Sequence, residues 1–474
     1  MKILLINPPI KTEEVYGEYY SAAPCLPPLG LCYLAAVLQK NGYNKIKIID
    51  GVLENSSMDN IYKKIKRYKP DVVGITSTTT SFYYARQTIA LCKRANKKIL
   101  TVLGGAHITA LPKRTMEECL ELDVGVYGEG EMTFLELINR LSQRKNFTDI
   151  RGIVRRGKGK IIINPPRKPI RNLDSLPFPT RQLLKNLHLY HHTPFRGRRF
   201  TTSMIASRGC PFNCSFCDQA VFGRNWRGHS ANYVVEEIRH LKKNYGVDFI
   251  SFEDDNFLIS RQRAIQICQG IIDSGLKLEW GCSARVDNID KELLLQMKKA
   301  GCVNIFIGIE SGSPRVLKLL NKKTKLKEVV KAVGLIKKVG INVYGSVILA
   351  IPSETRKEME KTISFIFSLP LDGVSLFLYT PYPNTKLAKL APRYGRVSDD
   401  WQEYSAHPQS LPFVPHGFTQ NELLNFQRRA YLSFYLRPSF LYKHPRLIFN
   451  PRILDSGFRV LKNLILGELS RGKR

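Results

Sequence analysis

The chain has 474 residues, 43% of them hydrophobic and 10% aromatic, which is the balance of a globular protein of about three domains and excludes a disordered or fibrous one. No stretch approaches the ~18 consecutive apolar residues of a membrane-spanning helix, and Lys2-Ile3-Leu4-Leu5-Ile6 runs directly into Asn7-Pro8-Pro9, too short for a signal sequence and suited to a first strand. The formal charge of +33 leaves nucleic acid, anionic lipid or no specific partner open, since much of it lies on helix faces such as Lys63-Lys64-Ile65-Lys66-Arg67 where a solvated surface is the ordinary outcome.

Residues 1–142 alternate short β-branched runs with helical periodicity. The strands predicted are Ile3 to Asn7, Ile46 to Asp50, Val72 to Thr76, Ile99 to Gly104 and Val124 to Tyr127. That alternation predicts a doubly wound, Rossmann-like parallel sheet with ligands at the carboxyl ends of its strands. No GxGxxG follows the first strand, so a dinucleotide is not indicated. The strand-end loops instead read Pro27-Pro28-Leu29-Gly30, Thr76-Ser77-Thr78-Thr79-Thr80, Leu103-Gly104-Gly105-Ala106-His107 and Gly128-Glu129-Gly130-Glu131. Small and hydroxyl residues there let a large flat ligand lie against backbone.

Residues 143–199 are Arg- and Lys-rich and broken by Asn164-Pro165-Pro166 and Leu176-Pro177-Phe178-Pro179, and read as an extended linker over a domain junction. A second strand-helix series fills 200–395: Thr202 to Ala206, Val247 to Phe252, Leu278 to Ala284, Asn304 to Gly308, Val343 to Ala350 and Gly373 to Tyr379. Six units fall short of the roughly 250 residues of a closed eight-fold barrel, so a partial (β/α)6 barrel with an open lateral side is expected. Residues 396–474 form a basic helical extension. A helix is expected over Asn421 to Tyr435, and from Arg437 to Arg474 nine Lys or Arg face two acids. Its last helix puts Leu454, Phe458, Leu461, Ile465 and Leu469 on one face, which suits either a membrane interface rich in anionic lipid or a cap over the barrel.

The chemistry centres on Ser207-Arg208-Gly209-Cys210-Pro211-Phe212-Asn213-Cys214-Ser215-Phe216-Cys217. Cys210, Cys214 and Cys217 sit at a CxxxCxxC spacing on the loop after a strand, where three thiolates can hold zinc or an iron-sulfur cluster. A structural zinc site wants four ligands. The next histidine, His229, lies twelve residues past Cys217, so an open site with three protein ligands is favoured. The other seven cysteines form no disulfide framework, which suits a reducing cytoplasm.

This loop resembles the signature of the radical S-adenosylmethionine (SAM) superfamily, CxxxCxΦC, with Phe216 as the aromatic. The resemblance implies a [4Fe-4S] cluster whose free iron binds SAM and cleaves it to a 5'-deoxyadenosyl radical. Residues 1–142 resemble the cobalamin-binding domain that precedes the barrel in one branch of that superfamily. On that likeness Ser77, Thr78, Gly104, Gly105, Glu129 and Gly130 are expected to meet cobalamin. Domains that give cobalt a lower histidine carry Asp-x-His-x-x-Gly, whereas this chain reads Asp50-Gly51-Val52, and Val52 cannot ligate cobalt. Strand ends of the barrel supply the candidate SAM contacts: Phe216 at the adenine, Asp254 and Asp255 near the sulfonium and ammonium, Arg285 on the carboxylate, Glu310 and Ser311 at the ribose.

The resemblance implies functionalisation of an unactivated carbon, foremost C-methylation of a lipid-like or other small molecule, with cyclisation or rearrangement as an alternative use of the same cofactors. An external one-electron reductant of flavodoxin or ferredoxin type is needed. Two readings of other classes remain. A methylthiotransferase acting on transfer RNA would use the basic charge, but it needs a second set of three cysteines, and Cys25, Cys32, Cys92 and Cys119 do not match it in context. A cofactor-binding or redox module without SAM chemistry is the non-catalytic alternative. Nucleic acid is accordingly not the expected partner, and the expected location is the cytoplasm or the inner face of its membrane.

Overall fold

The computed structural model describes residues 1–10, 24–157, 159–191, 200–405 and 410–443, with a few positions between 451 and 462. Arg196, Arg198 and Arg199, and the apolar positions Leu461, Ile465 and Leu469, lie outside the described residues.

Strands β1 (Ile3–Asn7), β2 (Ile46–Asp50), β3 (Val72–Thr76), β4 (Leu100–Gly104) and β5 (Val124–Val126) form a parallel sheet in the order β2-β1-β3-β4-β5. The continuous apolar run of β1 is explained by its two cores: Ile3 and Leu5 enter one, Leu4 and Ile6 the other, on opposite faces. β6 (Ile153–Gly157) continues the sheet antiparallel to β5, and β7 (Lys160–Ile163) pairs antiparallel with β6. The stretch expected as linker therefore begins as sheet. Its polar and basic residues hid a two-sided edge hairpin, in which Ile153 and Val154 are buried while Arg156 and Ile163 lie towards the rim.

The remainder of the connector is fastened to both domains. Thr180 donates its backbone N–H to Cys32 O at 3.2 Å, and Arg181 donates to Ser203 O at 2.7 Å and pairs with the fully buried Glu237 at 2.9 Å. Tyr190 donates its hydroxyl to Asp50 at 2.7 Å.

The barrel is a six-stranded parallel sheet. β8 (Thr201–Met204) is followed by a small antiparallel ribbon, β9 (Ser207–Arg208) and β10 (Arg227–Gly228), then by β11 (Phe249–Phe252), β12 (Glu279–Ala284), β13 (Cys302–Glu310), β14 (Asn342–Leu349) and β15 (Gly373–Leu378). Alternation on β14 separates the two faces. Val343, Val347 and Leu349 pack with Val329, Val333 and Ile336 of the flanking helix, while Tyr344, Ser346 and Ile348 stay half-buried on the inner face.

The free edge at β15 is not open. The helix Gln420–Tyr435 lies along it: the Tyr431 and Tyr435 hydroxyls accept from the N–H groups of Leu376 and Val374 at 2.8 and 3.2 Å, and Gln427 donates to Leu376 O at 2.6 Å. Side chains of a helix thus replace a missing neighbouring strand. A last pair, β16 (Gly395–Val397) and β17 (Phe413–Pro415), closes over Phe216 through Val397 and Phe413. Between them, Trp401 and Tyr404 enter the core of the first domain.

Candidate functional site

The cysteine loop leaves the barrel at β8 and is shaped by backbone constraint. Gly209 has φ +82°, and a Cβ there would sit 2.8 Å from Asn225 O and 3.0 Å from Gly223 O, so only glycine permits the turn into Cys210. Beyond it, Gln219 donates to Cys210 O and Phe212 O at 2.9 and 3.1 Å. Asn321 donates to Asn213 O at 2.7 Å, and Ser215 donates its hydroxyl to Leu319 O at 2.7 Å and its N–H to Leu320 O at 2.9 Å. The residues on either side of Cys214 are thereby held by the segment after β13, and Cys210 by the loop's own Gln219.

Cys210 and Cys214 are half-buried and Cys217 is exposed. Burial first, and then the nearby charges of Asp255 and Cys214, push the half-buried Cys210 thiol up; crowding by the surrounding loop, with the charges of Asp255, Cys214 and Cys210, also raises the Cys217 thiol although its side chain reaches the surface. Cys210, Cys214 and Asp255 are near enough to Cys217 to act on it electrostatically, but among the described residues no three such side chains are drawn together closely enough to grip a metal ion. His229 does not supply a fourth ligand: it is stacked on Tyr233 at 3.9 Å and bonded to Asp174 at 3.2 Å. Three soft donors with an open side fit an iron cube with one iron left free. Cys32, Cys92 and Cys119 are enclosed in apolar cores, where burial pushes each thiol up to about 12, so they build no second cluster.

Arg285 lies against this loop. Its guanidinium stacks on Phe212 at 3.8 Å, donates to Cys214 Sγ at 3.8 Å and to Lys322 O at 2.8 Å, and forks onto Asp287 at 3.0 and 2.9 Å. Lys322 in turn donates to Glu310 at 2.7 Å, with both side chains 8% exposed. Glu310 has φ +63° and its carboxylate folds back over Gly308, where any Cβ would collide with it. A chain of contacts therefore joins Cys214 to the end of β13.

The candidate SAM contacts separate into two groups. Asp255 is exposed beside the thiols, and the helix after it is capped by Ser260, so Asp255 is free of that duty. Phe216 packs half-buried against Leu320, Ile351 and Tyr379. Asp254, by contrast, is buried, accepting from Ala206 N at 2.7 Å and from the Ser207 hydroxyl, and burial pushes its carboxyl up to about 6. Ser311 is fully enclosed, bonded to Thr362 at 3.1 Å and accepting from Ser313 N at 3.1 Å. These two hold strand ends together and turn away from the mouth. Arg285 has its fork occupied by Asp287, which the sequence pattern could not reveal.

At the first domain, Thr78 is exposed and Gly104, Gly105, Gly128 and Gly130 are half-buried at the adjacent ends of β3, β4 and β5. Gly105, at φ +104°, would drive a Cβ to 2.5 Å from Ser77 O. Ser77 itself is buried, donating its N–H to Gly104 O at 2.9 Å and its hydroxyl to Thr78 O at 2.7 Å. It builds the floor rather than lining it. The small, backbone-rich surface that results fits a flat macrocycle. Val52 is half-buried nearby and offers no ligand. His107 is not solvated as a loop histidine usually is: it is buried, stacked on Phe82 at 3.9 Å and bonded to Thr79 at 3.3 Å.

Glu129 and Glu131 point from this floor to the cysteine loop. Arg208 donates to Glu131 at 2.6 Å and to Glu129 at 3.3 Å, Arg227 meets Glu129 at 2.8 Å, and Ile170 N donates to Glu129 at 2.7 Å. Glu129 thus binds protein, not an incoming ligand. Arg208 and Arg227 gave no signal in the sequence because their partners lie 77 to 98 residues away, and Lys322 gave none because it stands in a basic run that reads as solvated surface. Phe306 and Tyr344, stacked at 4.9 Å on the inner barrel face, escaped it as ordinary strand aromatics.

Comparison with known proteins matches residues 204–366 to the Radical SAM superfamily and residues 20–138 to the B12 binding domain. An uncharacterized methyltransferase of Pyrococcus horikoshii is 38% identical over 446 residues, 94% of each chain. An anaerobic magnesium-protoporphyrin IX monomethyl ester cyclase of Rubrivivax gelatinosus is 30% identical, covering 93% of this chain and 78% of its own. Among solved structures, the radical SAM methyltransferase TsrM from Kitasatospora setae, with cobalamin and a [4Fe-4S] cluster bound, has a TM-score of 0.66 at 19% identity. That match covers 83% of this chain and 75% of TsrM, a likeness of fold.

Proposed function

The chain belongs to the radical SAM superfamily, in the branch that carries a B12 binding domain ahead of the barrel, and from that premise we propose that it methylates an unactivated carbon of a small, lipid-like molecule. The observation that carries the reading is the meeting of an open three-thiol loop with the glycine-rich floor of the first domain, through Arg208 and Glu131. When bound, the [4Fe-4S] cluster with SAM supplies a carbon-centred radical and cobalamin supplies the methyl group.

The protein's own groups divide the remaining work. Cys210, Cys214 and Cys217 would hold the cluster, Asp255 the cationic end of SAM, and Phe216 its adenine. Glu310, buried and held by Lys322, would accept from ribose hydroxyls. Thr78, Gly104, Gly105 and Gly130 would seat the corrin. The pair β16 and β17, packed over Phe216, keeps water from that side of the mouth, where a radical would otherwise be lost to side reactions.

Anaerobic reconstitution tests the proposal. The protein should take up iron and corrin, and with SAM and dithionite it should release both 5'-deoxyadenosine and S-adenosylhomocysteine. Cys214→Ala should lose the ~400 nm cluster absorbance and SAM cleavage while retaining corrin; SAM cleavage surviving in that variant would refute the cluster assignment. The identity shared with the cyclase of Rubrivivax gelatinosus favours cyclisation as the second reading. Turnover with 5'-deoxyadenosine but no S-adenosylhomocysteine would select it.

We place the protein in a reducing cytoplasm, served by an acidic flavodoxin or ferredoxin, with its tail at the inner face of the membrane. No helix among the described residues is long and apolar enough to cross a membrane. Leu454 and Phe458, however, are 52% and 68% exposed, beside Arg459. Co-sedimentation with vesicles containing phosphatidylserine, absent with neutral vesicles and lost on removal of residues 444–474, is the expected result.

A further inference from the structure

Arg208, Arg227, Glu129 and Glu131 form a buried quartet of two guanidinium groups and two carboxylates. Arg208 is 2% exposed at its side chain, Glu129 5%, Glu131 7% and Arg227 12%. The two arginines face each other across the β9–β10 ribbon, and the two glutamates flank Gly130 where the first domain's last parallel strand ends. The Arg208 guanidinium also lies 5.3 Å from the Tyr33 ring of the first domain and 5.2 Å from the Phe222 ring behind the cysteine loop. Arg227 donates to Ile170 O at 2.6 Å, and Glu129 accepts from Ile170 N. First domain, connector and barrel therefore meet at one electrically balanced point.

The place of this quartet is as telling as its burial. Arg208 is separated from Cys210 only by Gly209, whose φ of +82° and crowded Cα leave little freedom. Glu129 stands between Gly128 and Gly130, both part of the corrin floor. Two short, stiff chain segments thus lead from one ion-pair cluster to the first cluster ligand and to the corrin seat. A surface contact between domains would leave their spacing to thermal motion. A buried cluster in which one guanidinium bridges two carboxylates resists sliding, because any shift uncovers a buried charge.

We propose that Arg208 is a positioning residue that fixes the separation between the cysteine loop and the corrin floor, by gripping Glu129 and Glu131 across the domain boundary. The inference rests on the functional reading above. The Arg208 guanidinium is taken up by Glu129 and Glu131 and acts through the two glycine-flanked loops.

The test uses full-length protein carrying both cofactors, reduced so that the cluster and cob(II)alamin are paramagnetic, and pulsed EPR to measure their dipolar coupling. The native protein should give a single narrow distance. Arg208→Gln should keep the cluster absorbance, the corrin spectrum and SAM cleavage, while its distance distribution widens by about twofold or more. Arg208→Lys, which keeps the charge but not the fork, should fall between them. Glu131→Gln leaves Glu129 in place and serves if Arg208→Gln does not fold; it too should broaden the distribution. An Arg208→Gln or Glu131→Gln protein with the native narrow distance overturns the proposal. Native protein that takes up no corrin would instead count against the functional reading, and the spectra distinguish the two failures.

Discussion

The Trp401 indole meets the His107 imidazole edge-on at 4.7 Å, so a residue of the C-terminal extension completes the core beside the corrin floor. The indole N–H donates to Glu118, and the Arg114 guanidinium lies over the ring at 4.5 Å. Removing this plug should unmake more than a tail. Trp401→Ala is expected to lower stability by about 3–5 kcal/mol, the usual cost of truncating a buried aromatic, and to weaken corrin binding. Chemical unfolding and corrin titration would show it; a loss under about 0.5 kcal/mol would mean the contact is incidental.

His107 also sets an acid limit. Burial holds its imidazole down at about 3, from an ordinary 6.5, so between those values the unfolded chain binds a proton that the folded one refuses. Its contribution to stability is complete above pH 6.5 and is lost as pH falls towards 3, by up to about 1.4 kcal/mol per pH unit. His229, held at about 4 by burial, acts in the same direction. His107→Phe, which preserves the stack on Phe82, should flatten the acid limb measured by urea unfolding between pH 6.5 and 4.5. An unchanged slope would show that His107 opens to water before the protein unfolds.

Glu354 works the opposite way at the alkaline side. It is buried after β14, accepts from Ile351 N at 3.1 Å, and burial pushes its carboxyl up to about 8 from 4.5. Here the folded chain retains a proton that the unfolded chain has lost. Its contribution is present below pH 4.5 and declines as pH rises to about 8. Glu354→Gln should remove that decline, so that unfolding free energies at pH 8 and pH 6 draw closer together than in the native protein.

Which of these features could be read before the fold was known depended on how far apart the partners lie. Cys210, Cys214 and Cys217 declare themselves because their spacing is itself the chemistry, and β1 to β5 because an apolar period is local. In Thr76-Ser77-Thr78 the strand end was legible but not which residue is exposed: Thr78 is, while Ser77 is buried with its hydroxyl turned back to Thr78 O. Glu129 looked like a ligand group because its partner Arg208 stands 79 residues away. Trp401 gave no signal at all, since its partners His107 and Glu118 belong to the first domain.

The hydrogen bond from Arg285 to Cys214 Sγ, at 3.8 Å, bears on the cluster's redox poise. Donors to a ligating sulfur and nearby positive charge favour the more negative, reduced cluster, and so raise its potential. Arg285→Gln should let the cluster form but shift its midpoint downward, by roughly 59 mV for each tenfold change in the reduction equilibrium. EPR-monitored redox titration would record it. A midpoint equal to the native one would show that Arg285 serves only to hold Asp287 and Lys322.

The cap on β15 offers a last test, of solubility rather than catalysis. Tyr431 accepts from Leu376 N and Tyr435 accepts from Val374 N, which are edge amides that would otherwise be free to recruit a strand. Tyr431→Phe keeps the ring and removes the acceptor, leaving a partly buried N–H without its bond at a cost of about 1–3 kcal/mol. The double change Tyr431→Phe with Tyr435→Phe exposes two such donors beside Phe377, which is 55% exposed on the same strand. Edge pairing between molecules should follow, since an uncapped, apolar edge is a template for another chain. Light scattering on the double variant at rising concentration should show association that the native protein lacks; a monodisperse double variant would mean that the helix body, not its hydroxyls, shields the edge.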